Sequence, residues 1–214
     1  RGARADYERW SALPIHSERL DLSAAIGVLR AELPEDAIYC NGAGNYTVGV
    51  PRFTRYRRWG TQLAPQSGAM GYGIPAALAA QLLHPDRAVV AFAGDGCFQM
   101  CGQELATMVA ERLPVLVIVA NNRMLGTIRM HQERRFPGRV MSTDLVNPDF
   151  AALARAYGAF GERVEHAGEL PGALQRAREA GGPALLELMT DPDALTPTTS
   201  LSSLSSLSSL AAAR

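Results

Sequence analysis

The segment Gly94-Asp95-Gly96 sets one carboxylate between two glycines, directly after the apolar run 88–93. A run of that kind reads as a buried strand of a parallel sheet. The glycines let the backbone turn sharply and approach a ligand. Asp95 then stands where strand passes to loop and helix, placed to bind a hard cation, and nearby helix amides favour phosphate oxygens. Taken alone, the three residues fit an Asp-Gly turn equally well. The pair Asn121-Asn122 narrows the choice. Asn122 follows Asp95 by 27 residues, the length of one helix plus one strand, so both loops fall on the same sheet edge. Asn122 offers a neutral amide oxygen, and a turn after it can aim the Met124 carbonyl at the same ion. Those three ligands leave room for two diphosphate oxygens and water, completing the octahedron that Mg²⁺ demands. One carboxylate holds Mg²⁺ weakly, so the metal should arrive with an anionic ligand.

The stretch GDGCFQMCGQELATMVAERLPVLVIVANN resembles the thiamine diphosphate-binding signature. SGAMGYGIPAALAAQ, upstream, extends the resemblance to the carboxy-terminal cofactor domain of acetolactate synthase-like enzymes, from about Leu20 to Pro197. Benzoylformate and pyruvate decarboxylases share this superfamily. The resemblance implies thiamine diphosphate and Mg²⁺ as cofactors, with Asp95, Asn122 and the Met124 carbonyl on the metal. It implies backbone contacts from Gly96 and Cys97 to the diphosphate. Gly42, Ala43 and Gly44 align with the loop at the diphosphate end, and Gly68 with the segment that grips the aminopyrimidine. Met70 matches the bulky apolar residue that holds the cofactor bent; the alternative is an ordinary core methionine. Leu125, Gly126 and Thr127 continue the diphosphate loop.

The implied activity is decarboxylation or carboligation of a 2-oxo acid. The family also needs a Glu from a separate pyrimidine-binding domain, on the same or another chain, and works as an oligomer. This chain is therefore expected to be incomplete, and inactive, alone. The alternative is a non-catalytic cofactor-binding fragment or a subunit of a split decarboxylase. Acetolactate synthases carry Trp where His131 stands, which puts acetolactate formation in question. His131 is either a substrate-facing acid or base or a surface histidine on a helix. A nicotinamide dinucleotide site is disfavoured, because Gly42-Ala43-Gly44 lacks the third glycine of that fingerprint. Cys97 and Cys101, four apart, make a poor zinc site and read as packed thiols.

The elements that must position these residues follow from periodicity. Leu22, Ala25, Ile26 and Leu29 recur at helical spacing, capped by Asp21 or Ser23 and stopped at Pro34. Strands are expected at 37–40, 88–93, 115–120, 160–164 and 184–189. Helices are expected at 76–83, 103–112, 148–157 and 170–180, with Pro148 in a first turn. The alternation predicts an α/β fold, three layers α/β/α around a mainly parallel sheet, of the thiamine diphosphate-binding type. Residues 20–197 form that domain. Residues 1–19 read as a linker from a preceding domain, since the chain opens on Arg rather than Met. Residues 198–214 repeat Leu-Ser-Ser and read as a low-complexity tail, with a short helix as the alternative.

Composition excludes some classes. The 214 residues carry 21 basic and 21 acidic side chains. A net charge of zero argues against a nucleic-acid partner. No apolar run nears the roughly 18 residues of a membrane span. Three cysteines cannot build a disulfide scaffold, so a reducing cytoplasm is the expected location.

Overall fold

A computed structural model describes residues 2–13 and 20–204. The elements run α1 (Gly2–Trp10), α2 (Leu22–Glu32), β1 (Ile38–Asn41), α3 (Gly49–Phe53), β2 (Gln62–Leu63) and α4 (Gly73–Leu83). Then come β3 (Val89–Gly94), α5 (Asp95–Cys101), α6 (Glu104–Ala110), β4 (Leu116–Asn121), α7 (Gly126–Arg135) and α8 (Phe150–Tyr157). The chain continues through β5 (Phe160–Val164), α9 (Leu170–Glu179), β6 (Ala184–Met189), β7 (Ala194–Thr196) and β8 (Thr199–Ser200).

Six strands form one parallel sheet in the order β2-β1-β3-β4-β6-β5. Alternation along β3 splits the core. Val89, Ala91 and Ala93 face α4, α5, α6 and α8, together with Ile74, Phe98, Met108 and Phe150. Val90 and Phe92 face α2, α3 and α9, together with Ile26, Leu29, Phe53 and Leu174. Both faces are covered, which is why the central strands read as unbroken apolar runs. The expected three-layer α/β/α architecture is what the chain adopts. From β1 the chain leaves toward β2, and from β3 it leaves toward β4. The carboxyl ends of β1 and β3 therefore border the point where winding reverses, the place where such sheets bind ligands.

Several local readings change. Asp21 caps α2, accepting from the Ala24 amide at 2.9 Å. The expected helix 103–112 is instead the pair α5 and α6, and α5 begins at Asp95 itself. Extended backbone at Gly94 (φ −77°, ψ 161°) lets the helix open there, where the sequence suggested only a turn. Pro148 lies outside α8, whose cap is Asp149, accepting from the Ala152 amide at 2.7 Å. In the expected linker, residues 2–10 form α1, which buries no side chain. Its end rests on Arg52, which donates to the Trp10 carbonyl at 2.7 Å. In the expected tail, Thr199–Ser200 pairs with β7 and residues 201–204 are helical. Leu204 is buried there beside Met130 and Leu195. Of these two terminal readings, residues 1, 14–19 and 205–214 lie outside the described residues.

Close backbone approach ties α4 to the sheet edge. A Cβ on Gly73 would stand 2.9 Å from the Asn41 carbonyl carbon and 2.9 Å from the Gly42 nitrogen. Neither backbone atom can rotate away, so overpacking must shift α4 off β1. Gly73→Ala is expected to cost about 1–3 kcal/mol, read as a lower urea midpoint at unchanged slope.

Candidate functional site

Three loops leave the carboxyl edge of β1, β3 and β4 side by side and surround a cleft of about 320 Å³. Its lining includes Ala43, Gly44, Gly68, Met70, Asp95, Gly96 and Cys97. It also includes Asn122, Met124, Leu125, Gly126 and Thr127. Twelve of the residues singled out in the sequence thus share one wall-to-wall space. Gly42 sits behind the lining, its amide donating to the Tyr46 hydroxyl at 3.1 Å. His131 does not join them: it is exposed on α7, outside the lining.

Asp95 is 3% exposed at the first turn of α5. Its Oδ1 accepts from the Gly96 amide at 2.8 Å, and its Oδ2 accepts from Asn147 Nδ2 at 2.8 Å. Burial pushes the Asp95 carboxyl above its ordinary value of 3.8; the bond from Asn147, then those from the Gly96, Arg123 and Met124 amides, pull against that rise. Among the described residues no Lys, Arg or His forms an ion pair with it. A buried carboxylate with neutral donors alone is costly when ionised.

The loop after β4 is folded around its own amides. Asn122 Oδ1 accepts from the Met124 amide at 3.2 Å, an Asx turn. Arg123 takes a left-handed conformation (φ 58°). The Leu125 amide donates to the Thr143 carbonyl and the Leu145 amide to the Arg123 carbonyl, both at 2.8 Å. A second strap, residues 143–145, thus clamps the loop. The Gly126 amide donates to the Met124 carbonyl at 3.0 Å. Gly126, Thr127 and Ile128 then open α7 toward the cleft. First-turn amides of a ten-residue helix favour an anion there.

Met70 forms the opposing wall. Gly68 (φ 66°) and Gly71 (φ 82°) flank it in left-handed conformations that only glycine adopts cheaply. The Met70 Cε lies 3.4 Å from where a Gly96 Cβ would be, and the Leu125 Cδ2 lies 2.8 Å from it. The backbone at Gly96 is therefore pinched between two apolar side chains, and a larger residue would fill the floor of the cleft.

Sequence reasoning missed several groups. Tyr46 packs its ring against Gly94, and burial pushes its phenol pKa up. Thr127 Oγ1 donates to Asn45 Oδ1 at 2.9 Å, tying the first loop to α7. Thr190 and residues 194–197 close the cleft from the far side. Asn147 reaches Asp95 from the loop before α8. The only local signal at Asn147 was Asn-Pro-Asp, which reads as a turn and a cap.

The residues suit a divalent cation with an anionic companion. Asp95 supplies a buried carboxylate with no cationic partner among the described residues, and the loop after β4 supplies neutral oxygens. Among the described residues no three His, Cys, Asp or Glu side chains cluster as metal ligands. A cation at Asp95 would thus draw most of its oxygens from amides, carbonyls and its own companion.

Comparison with known proteins agrees in class. Residues 42–188 match the family model described as thiamine pyrophosphate enzyme, C-terminal TPP binding domain. The acetolactate synthase large subunit of Corynebacterium glutamicum is 38% identical over 176 residues, covering 79% of this chain and 28% of that one. The acetolactate synthase isozyme 3 large subunit of Escherichia coli is 35% identical, covering 80% and 31%. The chain thus spans under a third of these relatives' length. Among solved structures, a thiamine diphosphate-dependent 4-hydroxybenzoylformate decarboxylase from Rhodococcus jostii superposes with a TM-score of 0.77 at 30% identity, covering 85% of this chain and 34% of that one.

The Asp95 proton is the readable consequence of this geometry. With its folded pKa raised, stabilisation from the protonated form is complete below the unfolded value near 3.8 and is lost as pH rises through the folded value. At neutral pH without a cation the ionised group is a net cost. Carboxyl ¹³C shifts of the metal-free chain should show Asp95 titrating above 3.8. A midpoint at or below that value would contradict the burial argument.

Proposed function

The chain belongs to the thiamine pyrophosphate enzymes, as their C-terminal cofactor-binding domain, and on that footing we propose that its cleft holds thiamine diphosphate through Mg²⁺ for a 2-oxo acid decarboxylase or carboligase. The observation that carries this reading is the buried Asp95 carboxylate, with no cationic side chain paired to it among the described residues, sharing one cleft with the Asn122 loop. When bound, thiamine diphosphate supplies a carbon nucleophile and an electron sink.

The residues divide the work. Asp95, the Asn122 amide oxygen and the Met124 carbonyl would hold Mg²⁺, which relieves the cost of the buried charge. The Gly96 and Cys97 backbone, the loop Gly42-Ala43-Gly44, and Leu125 to Thr127 would face the diphosphate. The pinched floor at Gly96 leaves room for close approach of an anion to backbone. Gly68 and Met70 would meet the organic part of the cofactor, Met70 as an apolar wall that would favour its bent form and hence the proximity of its reacting groups. His131 has no role in this reading, because it stands outside the cleft lining.

The domain supplies one side of an active site. The proposed partner is a pyrimidine-binding domain, on this or another chain of a homo-oligomer, which brings the Glu the family needs. The span of under a third of the relatives' length favours that arrangement. Alone, the chain would bind but not turn over. The 2-oxo acid class rests on the relatives named above. Three free, buried thiols, Cys40, Cys97 and Cys101, accord with a reducing cytoplasm.

The test combines binding with turnover. The chain is mixed with thiamine diphosphate and Mg²⁺, with and without a pyrimidine-binding partner, and CO₂ release from pyruvate or benzoylformate is followed. Release is expected only with the partner. Asp95→Ala should abolish Mg²⁺-dependent cofactor binding, while His131→Ala should leave it within about twofold. Absence of Mg²⁺-dependent binding in both mixtures would end the reading.

A further inference from the structure

A chain of polar groups runs from the far end of the sheet to Asp95, and Asn147 is the link that touches the site. Glu187, in β6, is fully buried. Its carboxylate accepts from Arg163 Nε at 3.2 Å, the Ala151 amide at 3.3 Å and Asn121 Nδ2 at 2.7 Å. A carboxylate only accepts, so Glu187 dictates which way the Asn121 amide faces. Asn121 Oδ1 is thereby turned toward the loop, where it accepts from the Arg123 amide at 3.2 Å and from Asn147 Nδ2 at 2.8 Å. The other proton of Asn147 Nδ2 goes to Asp95 Oδ2 at 2.8 Å. Asn147 Oδ1 accepts from Gln99 Nε2, one turn further along α5, at 2.8 Å. Both protons of the Asn147 amide and its oxygen are engaged, and reversing the amide would set its oxygen against the acceptors of Asp95 and Asn121.

Asn147 therefore bridges the two loops that carry the candidate ligands: Asp95 after β3, and Asn121 beside Asn122 after β4. Two charge-bearing or ligand-bearing loops at neighbouring strand ends have no backbone bond fixing their separation past the last strand pair, Gly94 with Ala120. The Asn147 side-chain amide, from a third loop, bridges them, beside the Arg123 and Met124 amides that reach the Asp95 carboxylate. That loop is itself locked to the second by the bonds at Thr143 and Leu145.

We propose that Asn147 is a positioning residue that sets the spacing and orientation of the Asp95 carboxylate relative to the Asn122 loop for an octahedral divalent cation. This rests on the Mg²⁺–diphosphate reading above. Partners of this kind orient ligands without touching the metal, and their loss costs roughly 10–100-fold in metal affinity. Mg²⁺ demands near-ideal geometry whereas Ca²⁺ tolerates irregular spacing. A misaligned site should therefore lose Mg²⁺ more than Ca²⁺.

The experiment measures Mg²⁺ and Ca²⁺ dissociation constants at saturating thiamine diphosphate, with the full chain and its pyrimidine-binding partner. Wild type is compared with Asn147→Ala, Gln99→Ala and Asp95→Ala, and the ligand-free melting temperature of each is recorded. Asn147→Ala should weaken Mg²⁺ about tenfold or more, weaken Ca²⁺ less, and so shift the preference toward Ca²⁺. Gln99→Ala, a change at an exposed side chain, should move the preference the same way by a smaller factor, so the idea survives a poorly folding Asn147 variant. Equal losses for both ions, or Mg²⁺ affinity within twofold of wild type in both variants, would overturn the positioning role. If wild type itself binds no Mg²⁺, or Asp95→Ala binds it unchanged, the Mg²⁺–diphosphate reading fails first and takes this one with it.

Discussion

A single buried carboxylate organises the carboxyl edge of this sheet. Asp95 sits where β3 gives way to α5, almost without solvent, and its partners are amides rather than cations. Burying a charge in this way is costly, and proteins retain such groups where something else completes them. The surrounding chain is arranged around that cost. Gly94 and Gly96 bring backbone close, α5 starts at the carboxylate, and the loop after β4 turns its own amides inward.

The scaffold that holds Asp95 is tied together by bonds between its connections, Thr127 to Asn45, Asn147 to Asp95 and Asn121, and Leu125 to Thr143. The reversal of winding between β1 and β3 opens a gap at the carboxyl ends of those strands. Into that gap the three loops project, and the hairpin of β7 and β8 leans in from the opposite side through Leu195. The hydrophobic layers on either face keep the strand ends in register, with Phe98 against Phe150 at 5.1 Å under the Asp95 helix. Flexible elements would blur a site whose ligands must agree to within a fraction of an ångström.

Periodicity and punctuation read the framework well, and read its edges less well. Central strands were legible because parallel strands covered on both sides are apolar throughout. The break at Gly102 between α5 and α6 was not, because Cys97, Phe98 and Cys101 fall in a stretch that begins like a turn. The start of α1 escaped notice because it has no apolar face, and at 201–204 the helix was only the alternative reading because Leu every third position matches neither regular period. For His131 the residue type and place left open a catalytic role or a surface position on a helix, and the fold places it exposed on α7.

The amino-acid sequence by itself determined the class of fold, the family, and the two loops facing one another across a single α-β step. These depend on residue type and on separations of tens of residues, which composition and spacing record directly. Tertiary structure alone decided that Asp95 is buried with no cationic partner among the described residues, and that Asn147 joins it to Asn121. It alone led that linkage back to Glu187. Those contacts unite residues 95, 121, 147 and 187, whose adjacency depends on strand order and on the fold of a long loop. Neither is encoded in local propensity, because hydrogen bonds between distant side chains are chosen only after the sheet has brought its ends together.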